Sequence, residues 1–97
     1  MINIKYTKNS LQLIGHACQA KKGQDVVCAG VSAIFFGAIN WFNKKDIKLT
    51  YGKKSNGVKL ELKKKTVANQ EYLGLIVKQL KPIAHDFKQY VKISKGQ

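Results

Sequence analysis

Ile2, Ile4 and Tyr6 alternate with polar residues, and this spacing predicts a half-buried strand over 2–7. Lys8-Asn9-Ser10 supplies turn chemistry. Leu11 to Gly15 predicts a second strand, so the two form a hairpin that ends at His16. Periodicity is then lost from Ala17 to Gln24, which reads as a connecting loop able to gate whatever lies beside it. Val26 to Phe42 holds no charged residue, and only Gly30, Ser32, Gly37 and Asn40 interrupt its apolar run. A membrane span needs about 20 apolar residues, so this shorter run predicts a central buried helix starting near Gln24 or Asp25. Asn43-Lys44-Lys45 should close it, with cations at the negative end of the dipole.

The second half repeats the pattern. Ile47, Leu49 and Tyr51 alternate as a third strand. Asn56-Gly57 is a strong hairpin turn. Val58, Leu60 and Leu62 then alternate with Lys59, Glu61 and Lys63, giving a fourth strand with one face to water. A second helix starts at Thr66 or Asn69, and Leu73, Ile76, Val77, Leu80, Ile83, Ala84 and Phe87 keep helical spacing. Pro82 cannot donate to the Lys78 carbonyl, which predicts a kink or a second short turn. Tyr90 to Ile93 reads as a final edge strand.

The order is ββαββα with a possible fifth strand: one α+β domain over 1–97, a two-layer sandwich on a mostly antiparallel sheet. The apolar helix 26–42 carries Ile34, Phe35, Phe36, Trp41 and Phe42, more than one sheet face covers. Gly30 and Gly37 share a face and permit close approach. A homodimer contact through this helix is the expectation.

Charge changes the picture in one respect. The formal charge is +13, and all eighteen basic residues are lysines. Such a surface attracts polyanions without reading sequence, and the lack of arginine argues against base-specific contacts. A non-catalytic RNA- or ribosome-binding module is therefore one functional class to carry forward, although exposed aromatics interleaved for stacking are missing. The chain opens directly on a strand pattern, with no secretory signal. Two cysteines without an export signal suggest no disulfide framework and a reducing, cytoplasmic setting.

Most catalytic motifs are absent. His16, Cys18 and Cys28 lack the paired spacings of a structural zinc site. There is no phosphate-binding glycine loop and no deaminase signature, and the five acidic residues are scattered. No metal, cofactor or membrane contact is expected. One pair remains. Cys28 stands about one turn into the predicted helix, where the dipole and unpaired N–H groups lower a thiol pKa and offer oxyanion donors. His16 is placed to take its proton. Asp25, three residues before Cys28, either caps the helix or orients the imidazole. Ser32 lies one turn below Cys28 and either bonds toward the site or back to the helix. Without geometry, Cys28 also fits the role of a small buried hydrophobe.

Gly15-His16-Ala17, followed by Gly23, Asp25, Val26, Val27, Cys28, Ala29, Val31, Ser32 and Ala33, resembles the ribosomal-processing cysteine protease Prp family, and the element order agrees over essentially the whole chain. The resemblance implies a small dimeric cysteine endopeptidase. Such an enzyme removes a short apolar N-terminal extension, ending in two phenylalanines, from a large-subunit ribosomal protein of the bL27 family. It implies Cys28 as nucleophile and His16 as general base, with Asp25, Ser32, Gly15 and Ala17 at supporting motif positions and a loop at 18–24 that moves with substrate. Gly30 replaces the family's usual alanine, and Cys18 adds a thiol whose oxidation onto Cys28 would inactivate the enzyme.

Overall fold

The computed structural model describes residues 1–15, 22–52 and 57–96, with side chains left out at 22–25. Its elements are β1 (Ile2–Tyr6), β2 (Ser10–Ile14), α1 (Lys22–Ile39), a 3₁₀ turn (Lys44–Asp46), β3 (Ile47–Tyr51), β4 (Val58–Leu62), α2 (Val67–Asp86) and β5 (Val91–Lys95). The five strands form one sheet in the order β3-β4-β2-β1-β5. Every neighbouring pair is antiparallel except β1 with β5, which run parallel. This is the α+β, mostly antiparallel architecture that the alternation predicts, including the fifth strand.

The register explains the single apolar face. Ile4 stands opposite Leu13 on one side and Ile93 on the other. Leu60 stands between Leu11 and Leu49, and Ile47 faces Leu62. A slip of one residue would turn each of these side chains to water. Val27, Val31, Phe35 and Ala38 line one stripe of α1, and Leu73, Ile76, Val77, Leu80 and Ala84 do so on α2; all are buried with the sheet's apolar face in one cluster. Phe42 meets Tyr72 edge to face, with ring centroids 5.4 Å apart, and ties the end of α1 to α2. A Cβ at Gly30 would meet Ile83 Cδ1 at 3.5 Å, an ordinary contact, so an alanine also fits there. Gly37, on the same face, has nothing within 4 Å of such an atom.

Four expectations shift. First, α1 begins at Lys22, so the connector after His16 is shorter than the sequence suggested. Second, α1 ends at Ile39 rather than running through Phe42, so the apolar segment 26–42 is helix only in part. The N–H groups of Asn40, Trp41 and Phe42 bond to the carbonyls of Gly37, Ala38 and Ile39, a tightened turn that swings Phe42 back into the core. Third, Asn43 accepts a hydrogen bond from the Lys45 N–H as the cap of the 3₁₀ turn, so Lys44 and Lys45 sit there and not at a helix end. Fourth, α2 runs through Pro82 to Asp86 without a break. The carbonyl that Pro82 leaves without its helical partner belongs to exposed Lys78, on the solvent side of the helix.

Thr66 caps α2, accepting a bond from the Asn69 N–H. Asn69 is the one buried polar residue among those described. Its amide donates to Asp46 Oδ2 at 3.2 Å and to the Lys64 carbonyl at 2.9 Å, pinning the start of α2 to the 3₁₀ turn. The β3–β4 hairpin is closed by the Gly52 N–H donating to the Gly57 carbonyl at 2.9 Å; the Asn56 half of its predicted turn lies outside the described residues.

Candidate active site

β2 ends at Ile14, and the chain leaves it through Gly15 with φ +87°. A Cβ at Gly15 would collide with the carbonyl oxygen of Met1. Both the left-handed backbone and the close approach require glycine. The strand end that delivers residue 16 is thereby held against the start of β1. His16, Ala17 and Cys18 lie outside the described residues.

Cys28 is half-buried on α1 and packs against the core. It stands six residues after the first helical residue, about 9 Å along the axis at 1.5 Å per residue. This corrects the expectation of one turn. Only the first four N–H groups of a helix lack a partner, and the dipole's effect fades within the first turn. Cys28 is past both. Asp25 lies inside the helix, so it is not the capping residue. Its place in the first turn, three residues before Cys28, keeps it on the Cys28 face. Ser32 follows one turn later and is half-buried.

The sulfur of Cys28 is disulfide-bonded. The chain has one other cysteine, Cys18. A cysteine count without an export signal did not lead to this bond, because the count bears on compartment and not on which sulfurs stand within reach.

Beside Cys28 opens a cleft of about 500 Å³. Cys28, Ser32 and Gly15 supply its polar groups and backbone. Ile2, Leu13 and Val58 form the sheet side, Val31 and Phe36 the helix side. Exposed Tyr51 and Phe36 stand at its mouth. A small set of polar groups in an apolar cleft of this size is the usual form of a ligand site. Among the described residues no group of His, Cys, Asp and Glu is arranged to hold a metal, and no helix is long and apolar enough to cross a membrane.

The model of the family described as cysteine protease Prp matches residues 1–92. The chain belongs to the Prp family of cysteine proteases. It is 38% identical over 91 residues to the ribosomal processing cysteine protease Prp of Mycoplasma pneumoniae, covering 94% of this chain and 91% of that relative. The Prp of Bacillus subtilis is 58% identical over 31 residues, 32% of this chain and 28% of that relative. Prp of Staphylococcus aureus, solved with a covalently linked product peptide, superposes with a TM-score of 0.84 at 21% identity, over 99% of this chain and all of that one. A Streptococcus mutans structure superposes with a TM-score of 0.83 at 21% identity, covering 98% and 93%. At these identities the two structures establish the fold, and the Prp family establishes a cysteine protease.

The sequence reading brought Gly15, Cys28 and Ser32 to one place, and the structure lines one cleft with all three. It missed Ile2, Leu13, Tyr51 and Val58 as cleft walls, treating them as strand faces. A signal existed at Tyr51. It continues the apolar alternation of β3, yet no predicted helix extends that far to cover it, and it is 60% exposed.

Proposed function

We propose that this chain is the endopeptidase that removes the N-terminal extension of a large-subunit ribosomal protein of the bL27 family, through Cys28 as nucleophile and His16 as general base. The observation that supports it is the cleft itself: Cys28 and Gly15, the residue before His16, line the same apolar hollow. An extended apolar peptide laid there would bury its side chains against Phe36, Tyr51 and Val58. The Staphylococcus aureus relative was solved with a substrate peptide as well as with a covalently linked product peptide, which fits a nucleophilic thiol.

The steps begin from the reduced protein, since a disulfide sulfur carries no proton to lose. His16 takes the proton of the Cys28 thiol, and the sulfur adds to the scissile carbonyl carbon. The tetrahedral oxyanion collapses, the C–N bond breaks, and the leaving amine takes the proton from the imidazolium. Water then attacks the thioester, with His16 accepting its proton, and the acid product leaves as the thiol is restored. Asp25 orients the imidazole from the first turn of α1. Ser32 aligns the substrate from one turn below Cys28, and Gly15 and Ala17 set the position of His16. Thiol chemistry of this kind suits the reducing cytoplasm.

A second copy of the chain completes the particle. Val26, Ala29, Ala33, Phe36, Gly37 and Asn40 form an exposed, uncharged stripe on α1 opposite its buried face. That stripe is suited to self-association, with Phe36 reaching from it to the cleft mouth.

The test is cleavage of a synthetic peptide copying the extension of the organism's own ribosomal protein, in fresh dithiothreitol, read by mass spectrometry. Wild type should cut at one bond, and Cys28→Ala and His16→Ala should not. Unimpaired cleavage by folded Cys28→Ala would remove the nucleophile assignment.

A further inference from the structure

A second hollow, of about 380 Å³, lies between the end of β1, α2 and the end of β5. It shares no lining residue with the Cys28 cleft. The two sit at opposite ends of β1, with Ile2 in one and Tyr6 in the other. Lys78 and Lys81 from α2, Lys95 from the end of β5 and Lys8 from the β1–β2 turn converge on it, and no carboxylate lines it. Lys81 Nζ lies 5.9 Å from the centroid of the Tyr6 ring, which holds that ammonium over the hollow's floor. None of these four lysines forms an ion pair among the described residues, where the only pairs are Lys59–Glu61 and His85–Asp86. Lys81 also lines the adjoining hollow with Lys88, Lys92 and His85. The cations therefore run on as a strip along α2 and the β5 edge. Asp86, hydrogen-bonded to His85, is the one carboxylate beside its far end.

We propose that this hollow docks the phosphate backbone of RNA, independently of sequence. Four like charges held around one concavity repel one another and stand ready to be neutralised by an anion of matching density. Lysine ammonium groups meet phosphate oxygens as point charges, without the geometric selection that the planar fork of arginine imposes, and this chain has no arginine. Tyr6, with Lys81 over its ring, is the only aromatic residue lining the hollow, too few for stacking successive bases, so contacts stay on the backbone. RNA is the polyanion that an enzyme of a ribosomal-processing family meets. The choice of partner rests on that family, but the readout below involves no cleavage.

The probe is a fluorescein-labelled single-stranded RNA of mixed sequence, titrated by anisotropy at several salt concentrations. Neutralising four phosphates of a single strand gives a log–log salt slope of about −2.8, or about 50-fold weaker binding at 200 mM than at 50 mM salt. The fourfold variant Lys8→Gln, Lys78→Gln, Lys81→Gln, Lys95→Gln should bind at least tenfold more weakly, with a slope shallower by about 3. A control, Lys44→Gln, Lys45→Gln, Lys48→Gln, Lys63→Gln, loses the same charge at the opposite edge of the sheet and should bind nearly as wild type. Equal loss in both variants would overturn the proposal in favour of diffuse charge. Displacement of the RNA by polyglutamate as readily as by unlabelled RNA would overturn it in favour of an acidic protein partner. If the fourfold variant fails to melt cooperatively, the pairs Lys8→Gln, Lys95→Gln and Lys78→Gln, Lys81→Gln replace it, each expected to reduce the slope by about 1.4; an unchanged slope in both pairs would overturn the assignment.

Discussion

Replacing Gly15 by alanine tests how the fold holds the strand end before His16. The substitution meets two obstacles at once. The backbone at φ +87° is left-handed, which costs about 1–2 kcal/mol for a residue with a Cβ. The new methyl also collides with the Met1 carbonyl, so the start of β1 must shift. The next bond in that strand runs from the Ile2 N–H to the Tyr90 carbonyl at 2.8 Å and is worth about 1 kcal/mol net. Alanine stiffens the unfolded chain and returns about 0.4–1 kcal/mol of conformational entropy to the loss. The sum is a destabilisation of about 2 kcal/mol, which in a domain of this size lowers Tm by roughly 8–16 °C. Peptide cleavage at 25 °C should fall much further than the folded fraction does, because misplacing a catalytic group by about 1 Å costs on the order of 100-fold. Gly74→Ala serves as the control. Its Cβ would meet nothing within 4 Å on α2, and it should raise stability by about 0.5–1 kcal/mol without touching the cleft. Scanning calorimetry and kcat/KM give the two readouts. A Gly15→Ala protein with wild-type Tm and wild-type cleavage would refute the argument that glycine is required here.

Two further outcomes follow from the cleft and from α1. Protein purified without reductant should weigh two hydrogens less than the reduced chain and cleave nothing until dithiothreitol is added. Cys18→Ser should cleave without it, and equal dependence on reductant in that variant would separate Cys18 from the Cys28 disulfide. Ala33→Lys places a charge in the middle of the uncharged α1 stripe, where no buried atom is disturbed. Sedimentation at micromolar concentration should show a dimer for wild type and a monomer for the variant, and a monomeric wild type would end the self-association reading.

The strands were legible because one face is apolar and the other charged, as in Val58-Lys59-Leu60-Glu61-Leu62, where the two-residue period leaves no ambiguity. The ends of α1 were not. Lys21-Lys22-Gly23-Gln24 carries no capping signal, so the apolar pattern starting at Val26 predicts a helix start near Gln24 or Asp25, and α1 begins at Lys22 instead. At the other end Trp41 and Phe42 prolong the hydrophobic run, but Phe42 reaches the core through a turn and not by continued helix. Periodicity reports which side chains are buried and not which backbone bonds carry them there. Pro82 misled for a related reason: losing one bond on the wet side of a long packed helix is cheaper than breaking the apolar stripe of Leu80, Ile83 and Ala84. Of the site, Cys28, Gly15 and Ser32 were visible as motif residues. The apolar walls were not, because a strand residue facing a cleft and one facing a core have the same spelling. A disulfide at Cys28 was visible as an oxidation that Cys18 makes available, but the cysteine count argued against its being formed, since sequence separation says little about where two sulfurs meet.

The parallel pairing of β1 with β5 has a consequence for synthesis. Ile2 lies opposite Val91, so during synthesis β1 waits for β5, the last of the described strands, before one of its edges is filled. Until then the β1–β2 hairpin shows an open row of N–H and C=O groups, the kind of edge on which nascent chains aggregate. Ile2 also lines the Cys28 cleft. The wall that Ile2 gives the cleft therefore rests on a strand whose outer edge is filled by β5, about 90 residues further along the chain.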